Sequence, residues 1–155
     1  MHAPEQNAES PITEDYDIMS KNEPLMKNEL LMEIEVELHG TAGFAGPHSK
    51  VTLLPFSAKT EGKYFTGSTV MDGVDTQRTD ASGRFSLSAR YMLRGKDYTG
   101  QECSIFIENN GSSLDNCIPA ILTDSEALAF LENTPLASTV EGREGGVTVR
   151  IYRAS

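Results

Sequence analysis

Asp75 and Arg90 carry opposite charges and lie on two predicted strands that a tight turn, DASG at 80–83, would join as a hairpin. In the stretch GRFSLSARYML, residues 83–93, side chains alternate between two faces, and Arg90 shares its face with two serines. If that face points into a closed barrel, Arg90 requires a nearby anion, because an unpaired buried charge is costly. We therefore predict that Arg90 faces the interior and pairs with Asp75. The alternative is an Arg90 that is solvated or purely structural.

A buried Asp75–Arg90 pair would hold two polar groups in fixed positions, where they could bind the carbonyl or carboxylate of a ligand. In an enzyme, Asp75 would act as the base and Arg90 would stabilise an enolate-like oxyanion. Three further polar residues are candidates for the same ligand site: Tyr91, Asn109 at the end of a predicted strand, and His48 in GPHS, which could lie at a barrel rim. Each also has an ordinary structural interpretation, as a core tyrosine, a turn asparagine and a surface-loop histidine.

The sequence predicts neither a metal site nor a cofactor. The three histidines, His2, His39 and His48, are far apart in the chain, and nothing has the spacing of zinc ligands. No nucleophile elbow, P-loop or dinucleotide-binding fingerprint is present in the sequence. Cys103 and Cys117 are too few for a disulfide framework, and we expect both to be buried thiols.

The charge balance argues against several classes of partner. The 155 residues carry a net charge of -10, with an isoelectric point near 4.7. An acidic protein repels phosphate groups, so we expect neither nucleic acid nor an anionic membrane surface as a partner. No stretch approaches the roughly 20 apolar residues of a membrane-spanning helix, and the N-terminal residues lack the pattern of a signal peptide. The expected compartment is therefore the cytoplasm.

Alternating apolar residues predict an all-β domain over residues 29–155. The segment LLMEIEVELHG, which starts at Leu30, places apolar residues on one face and three glutamates on the other, as in a half-buried strand. Turn sequences, among them DASG and the hairpin signal DG at 72–73, divide the rest into strands roughly eight to twelve residues apart. About eight strands and at most one or two short helices favour a closed antiparallel barrel, because closure removes exposed strand edges.

Two segments depart from this pattern. Residues 1–28 are polar and acidic, which predicts an N-terminal arm that lies on the domain or on a neighbouring subunit. Residues 111–135 are less regular, but Thr123 lies three residues before Glu126, as in a capping box, which predicts a short helix. The glycine-rich stretch TAGFAGPHS is interpreted as a connection. Pro55 is placed near the end of the second strand, where a missing N–H costs least.

Four weak motifs follow one another along the domain: FTGSTVMDGVDTQ (65–77), SGRFSLSARYMLRGKD (82–97), GQECSIFIENNG (100–111) and GGVTVRIYRA (145–154). Their order and spacing resemble those of a mostly bacterial family known only as domain of unknown function thirty-two thirty-seven. The resemblance implies a small closed antiparallel barrel, similar in architecture to plant allene oxide cyclases, often oligomeric and with no established reaction. Thr76 departs from the family pattern, which has an aromatic residue there, whereas the matching residues are Asp75, Gly83, Arg90, Tyr91 and Asn109.

Two functions are consistent with such a barrel. In the first, it binds a small, largely apolar molecule in its mouth, with isomerase or cyclase activity left open. In the second, the interior is filled, and the protein is a structural or interaction module whose acidic arm wraps a neighbour in a homo-oligomer. A cavity faced by Arg90 would favour the first function, and a filled interior with Arg90 outside would favour the second.

Overall fold

The computed structural model describes residues 27–154, which form ten strands and one short 3-10 turn at Ala129–Glu132. The strands are β1 (Lys27–Leu38), β2 (Ala42–Ala45), β3 (Lys50–Glu61), β4 (Phe65–Thr69), β5 (Gly73–Thr79), β6 (Phe85–Asp97), β7 (Glu102–Ser113), β8 (Asn116–Thr123), β9 (Leu136–Arg143) and β10 (Gly146–Ala154). Within residues 27–154, no helix is long and apolar enough to cross a membrane. The predicted arm lies outside the described residues, except that β1 already begins at Lys27.

The strands form a closed antiparallel barrel with eight positions around its wall, which confirms the predicted fold class. Neighbours around the wall are β1, β10, β9, β8, β7 and β6. β4 and β5 then lie end to end between β6 and β3, and β3 pairs with β1 to close the barrel. β2 continues β1 along the same edge of β3, so two of the eight positions are each filled by two consecutive strands.

The break between β1 and β2 lies beside a proline. β1 ends where Leu38 pairs with Phe56, and β2 begins where Ala42 pairs with Leu53, so Pro55 faces the gap. Pro55 is therefore inside β3 and not near the end of a strand, as the sequence analysis had placed it. Proline has no N–H to donate, so an interruption between β1 and β2 opposite Pro55 loses the fewest hydrogen bonds to β3. The backbone N–H of His39 donates to the Pro55 carbonyl at 2.9 Å and holds the connection in place.

Three local expectations from the sequence were wrong. The glycine-rich connection contains β2, and DG at 72–73 is not a hairpin turn, because β4 and β5 do not pair with each other. Residues 116–123, within the segment interpreted as irregular, form β8. Pro119 is tolerated there because β8 pairs with β9 at Cys117 and Ser138, before the proline is reached. The Asp80–Gly83 turn does join β5 to β6 as predicted.

One end of the barrel is filled by the segment between β8 and β9. The short helix predicted from the capping box of Thr123 and Glu126 is only a 3-10 turn. The Thr123 Oγ1 accepts a hydrogen bond from the Ser125 N–H, and the Ser125 Oγ accepts one from the Leu128 N–H. Leu128 and Leu131 are fully buried in the core cluster. They pack among inward-facing side chains with no exposure, which include Ile34, Leu93, Ile105, Ile107 and Ile151. This half of the interior therefore has the close packing of an ordinary hydrophobic core.

Replacing Ile105 with alanine should lower the free energy of unfolding by about 2–5 kcal/mol, because the truncation leaves a cavity in the filled half of the barrel. Leu122 is the matched control, since its side chain is 57% exposed on the outer wall. Leu122→Ala should cost no more than about 0.5 kcal/mol. Urea denaturation measures the free energy of unfolding of each variant. Similar decreases for the two would contradict the inward position of Ile105 and the outward position of Leu122.

Candidate functional site

A cavity of about 40 Å³ lies at the end of the barrel opposite the filled half. Leu38, the last residue of β1, and Leu114, in the turn between β7 and β8, mark this end. The remaining wall is mostly apolar and comes from seven strands. Its apolar residues are Val36, Phe56, Leu87, Ala89, Val140, Val147 and Val149, and its polar ones are Asp75, Tyr91 and Asn109. Three of the five candidates named from the sequence therefore line one cavity.

The register of the sheet brings Asp75 and Asn109 into the same row. Asp75 on β5 pairs with Ala89 on β6, and Ala89 pairs with Asn109 on β7. Directly paired residues share a face of the sheet, so all three side chains point inward. Ala89 lies between the two polar residues in this row, and its side chain is only a methyl group, so it occupies little of the cavity that the three residues line. The small residue at position 89 is thus part of the site, although the sequence analysis did not single it out.

Asp75 is a buried carboxyl group with an incomplete set of partners. Its side chain is only 8% exposed, and Oδ2 accepts a hydrogen bond from the Gln77 Nε2 at 3.0 Å. Oδ1 is buried and has no hydrogen-bond partner among the described residues. Desolvation by burial raises the pKa of Asp75 above its ordinary value, and the Gln77 hydrogen bond offsets this only in part. Burial therefore shifts the proton equilibrium of Asp75 towards the carboxylic acid, the form that can donate a hydrogen bond as well as accept one.

Asn109 is held by a partner that the sequence analysis missed. The Ser138 Oγ on β9 lies 3.1 Å from the Asn109 Oδ1, and both residues are buried. The Ser138 hydroxyl donates to the Asn109 amide oxygen, so the Asn109 NH2 group remains as a donor. Cys117 pairs with Ser138 across β8 and β9, and burial, with the nearby Asp75 charge, raises the pKa of its thiol to about 11. Cys117 is thus a neutral buried thiol near the site, as expected, and Cys103 is also buried and free.

Tyr91 forms a neutral wall of the cavity. Its ring meets Phe56 edge to face, with ring centroids 5.1 Å apart. Gly73 makes this contact possible, because a Cβ atom at that position would lie 2.5 Å from the Tyr91 Cβ and 2.8 Å from the Phe56 ring. Burial raises the pKa of the Tyr91 hydroxyl well above its ordinary value, so Tyr91 is not a source of negative charge.

Arg90 points away from the cavity, and the prediction that it pairs with Asp75 inside the barrel is wrong. Its side chain is 66% exposed, and its guanidinium binds the Glu108 carboxylate at 3.1 Å from Nη2 and 3.2 Å from Nε. Arg90 and Glu108 are directly opposed on β6 and β7. The apolar face of β6, with Leu87 and Leu93, fills the barrel, and alternation then places Arg90 outside.

His48 is not part of the cavity wall either. It lies in the turn between β2 and β3, is exposed, and is absent from the residues that line the cavity. A hydrogen bond from the Gly46 N–H to the Ser49 carbonyl closes this turn. His48 is therefore a surface-loop histidine, which was the structural alternative considered from the sequence.

Replacing Asp75 with asparagine should stabilise the protein at neutral pH relative to wild type. The pKa of Asp75 is raised in the folded state, so the folded protein binds more protons than the unfolded chain between the ordinary carboxyl pKa of 3.8 and the raised value. Its contribution to stability is therefore present below pH 3.8 and is lost as the pH rises through the raised pKa. Urea unfolding from pH 4 to pH 8 should show a gain for Asp75→Asn that grows with pH. The exposed Asp115→Asn is the control, and an equally pH-dependent gain there would contradict this assignment.

The outward position of Arg90 predicts that it is energetically independent of Asp75. Arg90→Met should cost no more than about 1 kcal/mol, because it breaks only an exposed ion pair with Glu108. In a double-mutant cycle with Asp75→Asn, the two effects should add to within about 0.5 kcal/mol. A coupling energy well above this value would contradict the outward position of Arg90 and indicate that its side chain interacts with Asp75.

Comparisons with known proteins identify the fold and do not assign a family. No protein-family model matches the chain, and no curated protein matches it. A protein of unknown function from Clostridium acetobutylicum is similar in structure, with a TM-score of 0.68 and 21% identity over 87% of this chain and all of that one. A β-barrel-like protein from Acinetobacter baumannii has a TM-score of 0.66 and 18% identity over 91% of this chain and all of that one. An enzyme from Penicillium herquei has a TM-score of 0.67 and 15% identity over 89% of this chain and all of that one. The chain is thus similar in fold to small β-barrel proteins, some of them of unknown function.

Proposed function

We propose that the barrel binds a small, largely apolar molecule at its open end and that Asp75 makes a hydrogen bond to one polar group of this molecule. The observation that carries the proposal is the Asp75 Oδ1, which is buried in an apolar cavity without a partner among the described residues. A buried polar atom of this kind costs free energy unless a ligand or water satisfies it. Titratable groups perturbed by burial in a cavity are more frequent at binding and catalytic sites than elsewhere.

The charge of the cavity narrows the class of ligand. Among the described residues that line it, none is Lys, Arg or His, and Asp75 is the one carboxyl group. An anionic ligand would find no countercharge here, so the carboxylate considered when Arg90 was placed inside is now disfavoured. A neutral carbonyl or hydroxyl compound fits better, because a protonated Asp75 can donate to its oxygen. The apolar remainder would contact Val36, Val147 and Val149.

The size of the cavity further restricts the class of ligand. A single water molecule needs roughly 10–15 Å³ of such space, so a cavity of about 40 Å³ holds one polar end of a ligand with a few adjoining atoms. The rest of the molecule must lie at the mouth, next to Leu38 and Leu114. Leu114 belongs to a turn, where a change of conformation disturbs fewer ladder hydrogen bonds than a change within a strand would.

An isomerase or cyclase function is the catalytic extension of this proposal. In its ionised form, Asp75 would take a proton from a carbon next to the ligand carbonyl and return it elsewhere on the molecule, which regenerates the carboxylate after one cycle. Its raised pKa makes this carboxylate a stronger base than an ordinary aspartate. The enolate-like oxygen formed between the two transfers would accept a hydrogen bond from the Asn109 amide, in the role first assigned to Arg90. The similarity to an enzyme from Penicillium herquei supports a catalytic use of the fold, and it supports no particular substrate.

The resemblance to domain of unknown function thirty-two thirty-seven is retained as part of the proposal, with this chain as a divergent member. The four motifs lie on β4 to β7 and on β10, and so cover much of the barrel wall. The alternative function, a structural barrel that forms a homo-oligomer, is supported by a row of apolar side chains on the outer wall. Met92 pairs with Phe106, and Phe106 pairs with Leu122, with Met92 and Leu122 42% and 57% exposed.

Titration with the neutral ketones 2-butanone to 2-octanone tests ligand binding. Amide chemical shifts of Ala89 and Asn109 should respond in wild type, because both residues line the cavity together with Asp75. Asp75→Ala should weaken binding by roughly tenfold, the equivalent of one buried hydrogen bond of about 1.4 kcal/mol. Arg90→Gln is the matched control and should leave the dissociation constant unchanged, since Arg90 lies outside. No response in the cavity, or equal losses in both variants, would refute the ligand hypothesis and favour the structural alternative.

A further inference from the structure

Three side chains outside the cavity form a hydrogen-bonded chain on the outer wall of the barrel. The Ser57 Oγ lies 3.2 Å from the His39 Nε2, and the His39 Nδ1 lies 3.0 Å from the Asp72 Oδ2. The residues are 18 and 33 positions apart in sequence, so the fold and not local chain geometry brings them together. Serine, histidine and aspartate in this order place a nucleophile, a base and a group that orients the base within mutual reach.

Each member of this chain is positioned by a feature of the barrel. His39 begins the break between β1 and β2, where its backbone N–H donates to the Pro55 carbonyl at 2.9 Å. Ser57 points outward from β3, because its neighbours Phe56 and Ala58 point inward and are buried. Asp72 directly precedes β5, whose first residue, Gly73, is buried against Tyr91 and Phe56. The sequence offers no local motif for this arrangement.

We propose that Ser57 is a nucleophile activated by His39 and Asp72 and that this surface hydrolyses small carboxylic esters. With the Nδ1 proton directed to Asp72, the Nε2 lone pair can accept the Ser57 hydroxyl proton. The Ser57 Oγ then forms a bond to the ester carbonyl carbon, and the bond to the alkoxide breaks as His39 returns the proton to that leaving group. His39 then deprotonates a water molecule, which attacks the acyl carbon; as the bond to the Ser57 Oγ breaks, His39 returns the proton to that oxygen, and the carboxylic acid is released.

The surroundings of the three residues define the class of ester. His39 and Asp72 are exposed and Ser57 is half-buried, so an ester can approach from solvent without entering the barrel. Val70 and Met71, which precede Asp72 in the chain, are 52% and 72% exposed and offer apolar surface for an acyl group. The negative charges of Asp72 and Glu37 near His39 favour neutral or cationic esters over anionic ones. We therefore expect short, unhindered esters with a good leaving group.

The same charges set the pH range of the reaction. The hydrogen bond to Asp72, together with the charges of Asp72 and Glu37, raises the pKa of His39 above its ordinary value. Only neutral His39 can accept the serine proton, so the rate of acylation should rise as the pH increases through this raised pKa. A residue with a purely structural role in pinning the β1–β2 connection would produce no such profile.

The test measures hydrolysis of p-nitrophenyl acetate by the full-length protein and locates the acetyl group by peptide mass spectrometry. Ser57→Ala, His39→Gln and Asp72→Asn should each lower the specific rate about tenfold or more. The exposed residues Ser68 and His48 supply matched controls, and Ser68→Ala and His48→Gln should leave the rate unchanged. Circular dichroism checks that each variant is folded.

Acetyl–Ser57 in wild-type protein supports the proposal even if a variant fails to fold. An adduct confined to other residues, or a rate that survives Ser57→Ala but falls in His39→Gln, would overturn it, because histidine would then act alone.

Discussion

The ladder between β1 and β3 closes the barrel, and both candidate sites depend on its register. Ile34 to Leu38 pair with Thr60 to Phe56, so the two strands present alternate residues to the interior and to solvent. Val36, Leu38 and Phe56 become part of the cavity wall, while Glu37 and Ser57 face outward. A shift of one residue would exchange the two sets and lose the cavity wall and the outward nucleophile together. Closure also pairs residues 34–38 of β1 with residues 56–60 of β3, so these parts of the two strands are not free to pair with another chain.

One end of the barrel is filled with apolar side chains, and the cavity end carries buried polar groups that lower the stability of the fold. Leu128 and Leu131 complete the packing of the filled end, which supplies hydrophobic stabilisation. At the other end, Asp75 is buried with one oxygen unpartnered among the described residues, an arrangement that lowers stability at neutral pH. Retention of such a group is expected where it serves binding or proton transfer, because a neutral side chain of similar size would be more stable. The contrast between the two ends is the physical basis for proposing a ligand site at the cavity.

Much of the wall followed from the sequence, and the exceptions have identifiable causes. Period-two alternation located most of the strands and the closed barrel, since a half-buried strand must alternate. β8 was missed because Pro119 and the turn residues that precede it conceal a strand whose ladder to β9 is short. The predicted number of about eight strands agrees with the eight positions in the wall only because two errors cancel. β4 and β5, predicted as separate strands, share one position, and the missed β8 fills another. Alternation within a segment does not reveal which segments lie side by side.

The sequence by itself determined that β6 has two unlike faces and that Asp75, Tyr91 and Asn109 belong to a barrel wall. Only the tertiary structure decided which face is inside, because that choice depends on how the apolar residues of all eight positions fill one narrow interior. That choice placed Arg90 outside, where Glu108 on a strand that follows β6 in the chain neutralises it. It also brought Ser138 to Asn109 and joined His39, Ser57 and Asp72, since contacts between distant segments arise from register and closure, and neither can be read from a local pattern.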